Sequence, residues 1–319
     1  MKKHTICLIG GSGFVGRHLI CELLGRGHGV RVLTRRRERH RELLVHPTLE
    51  VRDLNVHDQE SLTATLEGCS VAVNLAGILN QTRNRGRSFE DVHMKLVDKL
   101  VSACEAGGVS RLLHVSALGA SAQAPSDYLK TKAAGEDRAH EAKAPVAVTS
   151  FRPSVIFGHD DSFFNRFAGL LAMTPLVLPL ASPDAVFAPV FVNDVVSAMS
   201  NAMDDPATAG KRLDLVGPDT YTLSELVTYT ARVRGLRRYV WGLGDGLSNL
   251  QAAILGRLPG APLSADSLRS MRVPSTSENN ALPSLGVTPT SIEAVVPSYL
   301  GEREVNTRYQ TLRESAGRD

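Results

Sequence analysis

Along the first half of the chain, apolar residues gather into short runs separated by turn residues. Ile6–Ile9, Val30–Thr34, Leu49–Val51, Val71–Leu75, Arg111–Val115 and Val146–Phe151 have the length and composition of strands. Between them the apolar positions recur at helical spacing. Strand and helix patterns in regular alternation predict a parallel sheet covered by helices on both faces. In such a sheet, ligands lie beyond the carboxyl ends of the strands. After Phe151 the rhythm loosens into Pro- and Gly-punctuated segments, with helix-like stretches near Asp194–Met203, Ser224–Arg234 and Leu247–Leu258.

The first run opens directly into Gly10-Gly11-Ser12-Gly13-Phe14-Val15-Gly16 and then a helical pattern through Leu24. Glycines between a strand and a helix let the main chain turn tightly and let backbone N–H groups and the helix N-terminus approach a diphosphate. A bare glycine triplet is weak evidence, but a second strand follows at βαβ spacing, and that context favours a dinucleotide-binding loop. The expected fold is therefore α/β: a Rossmann-type doubly wound parallel sheet with a smaller, mostly helical C-terminal substrate region. Residues 1–157 and 188–217 are assigned to the NAD(P)-binding part. Residues 158–187 and 218–300 are assigned to the substrate or partner side, and 301–319 to a polar tail.

Where an acidic residue commonly accepts hydrogen bonds from the adenosine ribose, the second strand ends in Thr34-Arg35-Arg36-Arg37. A guanidinium grips a 2′-phosphate and a carboxylate repels one, so Arg35 and Arg36 point to NADP(H), with NAD(H) also admissible. The rest of the run to Arg41 can be a solvated basic face. Asp53 is placed either to accept from the adenine amino group or to cap the next turn, with Leu54 beside it. Leu75, Ala76 and Gly77 end the fourth strand with little bulk, so backbone can pass close beneath the cofactor ribose.

Tyr128 and Lys132 are four residues apart in a helical segment that begins after Pro125, so they share one helix face, and Ser116 ends the fifth strand. A nearby ammonium, together with a positively charged oxidised nicotinamide, favours the ionised phenol, which normally titrates near 10. Tyr128 is thus the candidate for exchanging a proton with a substrate oxygen, Ser116 for orienting that oxygen, and Lys132 for supporting both phenol and ribose.

These residues make the chain resemble the short-chain dehydrogenase/reductase superfamily, in its extended and atypical, NAD-dependent epimerase/dehydratase-like branches. The resemblance covers most of the chain. It adds Arg152-Pro153-Ser154-Val155-Ile156-Phe157-Gly158, where the family passes its backbone beside the nicotinamide, which implies cofactor contacts at Arg152, Pro153 and Val155. It also adds Pro189–Val195, in which Asp194 reads as a helix cap. Leu33-Thr34-Arg35-Arg36, Asn74–Asn80, His114–Ala120 and Asp161–Phe167 are similar to the NAD(P)H-binding accessory subunits of respiratory complex I and their bacterial relatives. That likeness implies quinone-related chemistry, or NADPH held for assembly or sensing without turnover. Val92-His93-Met94-Lys95 stands where extended epimerases carry an Asn-rich helix, and Phe157 replaces their usual Tyr, which argues against a sugar-nucleotide substrate.

Composition narrows the remaining choices. The chain has 319 residues, 43% hydrophobic and 22% charged, and a formal net charge of +3, too slight to imply a nucleic-acid partner or a membrane partner by bulk electrostatics. Cys7, Cys21, Cys69 and Cys104 are scattered in apolar contexts and read as buried thiols of a reducing compartment; no metal site is expected. Met1-Lys2-Lys3 leads into strand one rather than a secretion signal, and Leu170–Leu180, interrupted by Pro175 and Pro179, is too short to span a bilayer. A cytoplasmic protein is expected, with peripheral contact with the inner membrane, or with a respiratory or quinone-synthesising complex, left open.

Phe163, Phe164, Phe167, Leu170, Leu171, Met173, Leu176 and Leu178 follow the nicotinamide segment, and a lining of that kind suits an apolar substrate. Most of them are also natural core residues. Tyr239, Trp241, Leu243 and Leu247 beside Arg237 and Arg238 make either a basic amphipathic docking surface or more core. Two functions fit: an NADP(H)-dependent reductase or dehydrogenase for a hydrophobic carbonyl or alcohol, and a non-catalytic NADPH-binding module of a respiratory or ubiquinone-synthesising complex.

Overall fold

A computed structural model of the chain describes residues 3–81, 88–255 and 264–301. The six apolar runs form strands β1 (Thr5–Ile9), β2 (Gly29–Thr34), β3 (Leu49–Asp53), β4 (Val71–Asn74), β5 (Arg111–Val115) and β6 (Ala147–Pro153). A later strand, Arg212–Leu215, completes a seven-stranded sheet in the order Arg212–Leu215, β6, β5, β4, β1, β2, β3. Every pairing in it is parallel, with Ile9 opposite Asn74 and Thr34 opposite Asp53 at the carboxyl ends. The fold is the expected α/β arrangement. Chain order reverses between β1 and β4, so the crevice for a ligand opens at the ends of those two strands.

Both faces of the sheet are apolar because both are covered. Side chains alternate across β1: Ile6 and Leu8 join a core under α1 (Phe14–Gly25) and α6 (Val192–Asp204), through Leu19, Leu23, Val195 and Met199. Cys7 and Ile9 face the opposite core, built with Leu62 of α2 (Gln59–Leu66), Leu100 of α3 (Leu96–Ala106) and Ala139 of α4 (Asp127–His140). Three of the four cysteines are buried as expected, but Cys21 is exposed on α1, because the helix turns its position away from the sheet.

The remaining elements form a smaller layer beside the carboxyl edge. Helices α5 (Phe164–Met173), α7 (Leu223–Val233) and α10 (Ile292–Leu300) pack through Phe164, Leu171, Leu226, Val227 and Val296. A capping box fixes the start of α7: Glu225 N–H donates to Thr222 Oγ1 at 3.2 Å, and Thr222 N–H donates to Glu225 Oε2 at 2.7 Å. Strand Val177–Leu180 pairs in parallel with Tyr239–Gly242, Tyr239 opposite Val177 and Trp241 opposite Pro179. Helices α8 (Asp245–Leu255) and α9 (Ala265–Ser270) follow. The expected helix end at Leu258 and the tail beyond residue 301 lie outside the described residues. No helix among the described residues is long and apolar enough to cross a membrane.

Asp194 does not cap its helix. It sits in the first turn of α6, where its carboxylate accepts from Thr290 N at 2.7 Å and Thr290 Oγ1 at 3.0 Å, tying the segment before α10 to the sheet layer.

Candidate functional site

The glycine loop is shaped by what stands behind it. Gly10 has φ +79°, and a Cβ there would come within 2.9 Å of Ala76 N, so only glycine lets β1 turn against the end of β4. A Cβ on Gly16 would lie 2.3 Å from the Gly11 carbonyl oxygen, so α1 packs onto its own loop at a distance only a hydrogen permits. Gly13 at the head of α1 offers no side-chain cap, and the first turn carries no acidic residue. Uncapped amides at a positive helix end, with no carboxylate to repel an anion, fit the diphosphate of a dinucleotide.

Around this loop, Arg35 and Arg36 are exposed at the end of β2 and make no ion pair among the described residues, whereas Arg41 pairs with Glu38 at 2.8 Å. Asp53 is exposed at the end of β3 with no side-chain hydrogen bond among the described residues, so it caps nothing. Leu54 is drawn back to the sheet, its N–H donating to the Thr34 carbonyl at 2.8 Å. Asn74 Oδ1 accepts from Ala76 N at 3.1 Å and thereby sets the path of Leu75-Ala76-Gly77. Gly77 then runs under α4: a Cβ there would lie 3.2 Å from Lys132 Nζ.

The helix α4 presents Tyr128, Lys132 and Glu136 on one face at successive turns. Its start is held from a distance, for the Asp266 carboxylate of α9 accepts from Asp127 N at 2.8 Å and Tyr128 N at 3.0 Å. Ser126 Oγ accepts from Leu129 N at 3.2 Å and from Ser270 Oγ at 2.8 Å. Lys132 is buried and donates to the Val115 carbonyl at 2.9 Å; burial pulls its ammonium down to about 8 although Glu136 opposes the shift. Burial pushes the Tyr128 phenol up to about 12, so it carries its proton at neutral pH.

Ser116 points at an unexpected partner. Its hydroxyl donates to Glu136 Oε2 at 3.3 Å, and Glu136, fully buried, is clamped by Arg152, whose Nε lies 3.0 Å from both carboxylate oxygens and Nη2 2.8 Å from one. Arg152 is therefore occupied with Glu136 and is absent from the cavity wall, whereas Pro153 and Val155 are on it. Glu136 was missed in the sequence. Its signal was the third step of the spacing Tyr128, Lys132, Glu136.

In the sequence His93 marks only a departure from an epimerase pattern and carries no site signal of its own. It is buried in a π-turn, Asp91–Lys95, a helix irregularity often found at functional sites. Its ring stacks on Phe89 at 5.3 Å and meets Tyr128 edge-on at 5.6 Å. Ile78 N–H donates to Nε2 at 3.2 Å, so Nδ1 bears the proton and gives it to Thr131 Oγ1 at 3.0 Å. Burial, reinforced by the Lys132 charge, lowers its pKa to about 3, which keeps the imidazole neutral as a fixed wall for the phenol.

One cavity of about 660 Å³ joins these parts. Phe14, Val15 and Gly77 line its nucleotide end, Ser116, Tyr128 and Lys132 its middle, and Phe163, Phe167, Leu170 and Leu178 its far end. The apolar group expected there divides three ways: Phe164 and Leu171 are core, while Met173 and Leu176 are 75% and 73% exposed. Leu243 is likewise buried, but Tyr239, Trp241 and Leu247 are exposed.

Residues 10–149 match the model of an NAD(P)H-binding family. The chain is 35% identical over 225 residues to the Arabidopsis thaliana NADH dehydrogenase [ubiquinone] 1 alpha subcomplex subunit 9, covering 69% of this chain and 55% of that subunit. It thus spans about half the length of that relative. It is 29% identical over 246 residues to the ceramide reductase of Caulobacter vibrioides, covering 76% of this chain and 74% of that enzyme. The fold matches the NADPH-dependent quinone oxidoreductase QOR2 of Escherichia coli, complexed with NADPH, at a TM-score of 0.74 and 19% identity, over 92% of this chain and 99% of that one. These matches identify an NAD(P)H-binding domain over residues 10–149, carried on a short-chain dehydrogenase/reductase-like fold.

Proposed function

We propose that this chain is an NADPH-dependent reductase of an apolar carbonyl compound, a quinone or a lipid ketone. The observation that carries the reading is the single cavity in which Ser116, Tyr128 and Lys132 lie between a nucleotide end and the apolar wall of Phe163, Phe167, Leu170 and Leu178. When bound, the reduced nicotinamide supplies the hydride for the carbonyl carbon. Tyr128 Oη then gives its proton to the carbonyl oxygen, and a phenol held protonated at neutral pH suits that direction. Lys132, one turn further along the same face of α4 and lining the same cavity, is the cation available to the resulting phenolate. Glu136, itself held by Arg152, accepts from the Ser116 hydroxyl and keeps that side chain oriented. A wall that is mostly apolar beyond Tyr128, although Arg166 and Gln251 also line it, favours an apolar substrate.

Preference for the 2′-phosphate rests on Arg35 and Arg36, two exposed guanidinium groups without an ion-pair partner among the described residues, at the end of β2. Ceramide reductase and a quinone oxidoreductase among the similar proteins support the substrate class. The likeness to a complex I subunit favours a second reading, a nucleotide-loaded module docked on a respiratory assembly.

Tyr128→Phe separates the two. NADPH affinity by calorimetry should stay within about twofold, while reduction of long-chain quinones or ketones, followed by loss of reduced-cofactor absorbance, should fall about 10²–10⁴-fold. Turnover that survives the substitution removes Tyr128 from the chemistry. NADPH bound with no turnover of any apolar carbonyl by the unaltered chain sustains the module instead.

A further inference from the structure

Exposed apolar side chains are concentrated in one place. Of the nine large ones among the described residues, six (Met173, Leu176, Val177, Tyr239, Trp241 and Leu247) lie at the end of α5, on the ribbon Val177–Leu180/Tyr239–Gly242 and at the start of α8. No charged residue occurs between Arg166 and Asp184. The pairing of Tyr239 with Val177 and of Trp241 with Pro179 puts these four on one face, since strand side chains alternate. That face is open to solvent. The other face turns Leu178 and Leu180 inward, where both line the cavity. The ribbon is thus a thin wall, with the proposed substrate space on one side and an uncovered apolar face on the other. Pro179 belongs to both, being exposed and part of the lining.

The charges beside the ribbon are equally specific. Arg237 is exposed two residues before Tyr239, and Arg238, between them, is anchored by donation from Nε to the Leu171 carbonyl at 3.3 Å. Asp184 and Asp245 flank the ribbon's other ends in sequence. Tryptophan and tyrosine beside arginine are the residues that settle at the boundary between headgroups and acyl chains. A patch of large exposed apolar side chains needs a covering surface.

We infer that the ribbon Val177–Leu180/Tyr239–Gly242 docks on the surface of an anionic phospholipid bilayer, with Trp241, Tyr239, Leu176 and Met173 entering the interface and Arg237 facing the headgroups. Docking puts the cavity wall against the acyl region. An apolar substrate then reaches Tyr128 from the bilayer with little passage through water. The purpose of the surface rests on the reductase reading, but the binding itself needs neither nucleotide nor substrate.

Trp241 is the only tryptophan of the chain, so its fluorescence reports on this face alone. The free full-length chain should show the red-shifted emission of a water-exposed indole. Vesicles of phosphatidylcholine with phosphatidylglycerol should shift that emission to the blue, and pure phosphatidylcholine vesicles should do so more weakly. Replacing Met173→Ser together with Leu176→Ser, both exposed, should leave the melting temperature unchanged and weaken vesicle binding about tenfold or more. Arg237→Gln should weaken it about fivefold on the anionic vesicles only. Absence of a shift with either vesicle overturns the inference. So does a blue-shifted emission in the free chain, whether constant, which means the face is already covered, or growing with protein concentration, which means it pairs with a second copy. Vesicle binding without turnover defeats only the reductase reading, and turnover in detergent without vesicle binding defeats only the docking.

Discussion

The sheet half and the layer beyond Phe157 use glycine and leucine in opposite ways. In the sheet half, Gly16 is wedged against the Gly11 carbonyl oxygen, and each apolar residue of β1 belongs to one of two cores. In the outer layer, Gly169 of α5 has no atom within 4 Å of where a Cβ would stand. Leu171 and Met173, two residues apart, differ there between full burial and 75% exposure. The nucleotide end is thus constrained by backbone contact, which tolerates little change. The apolar end is constrained by which side of a helix or ribbon a residue takes, which leaves many side chains free for binding.

Substitutions at matched positions sharpen this contrast. The largest effect is expected from Gly16→Ala, whose methyl group meets backbone that cannot yield: stability should fall by about 3 kcal/mol in denaturant melts, with nucleotide binding lost in parallel. Leu171→Ala should cost about 2–5 kcal/mol as a buried large-to-small change, while Met173→Ala should stay within about 0.5 kcal/mol. Equal losses at the two would erase the distinction between core and surface in α5. Next in size, Arg35→Glu with Arg36→Glu should weaken NADPH roughly tenfold or more in direct titration and leave NADH nearly unaffected. The smallest effect has the opposite sign, because Gly169→Ala should raise stability by about 0.5–1 kcal/mol by restricting the unfolded chain at an exposed helical site. A loss at Gly169 would mean that the outer layer is as tightly built as the glycine loop.

Much of the fold was legible because its signals are local. Runs such as Ile6–Ile9 and Val30–Thr34, with glycines between strand and helix, state the period and the turn within a few residues. The short strand Arg212–Leu215 gave no such signal, since charge at Arg212 and Asp214 interrupts its apolar pattern and only pairing with β6 defines it. Among the site residues, Tyr128 and Lys132 were readable from helical spacing. Glu136 shares that spacing but carries no signal of its burial, because a carboxylate on a helix is ordinarily solvated, and only the approach of Arg152 and Arg212 from distant strands makes its burial tolerable. His93 was overlooked because its partners, Ile78 and Thr131, come from two other segments.

The sequence by itself determined the parallel sheet, the glycine turn and the common face of Tyr128 and Lys132, because each depends on backbone geometry over a single turn or strand. The tertiary structure alone decided that Asp266 caps the helix bearing Tyr128, and that Ser116 leans on Glu136. It also decided that, of a run of similar apolar residues, Phe167 faces a cavity, Leu171 a core and Leu176 the solvent. Hydrophobicity says only that a side chain gains by leaving water. Which neighbour receives it is settled when distant elements meet.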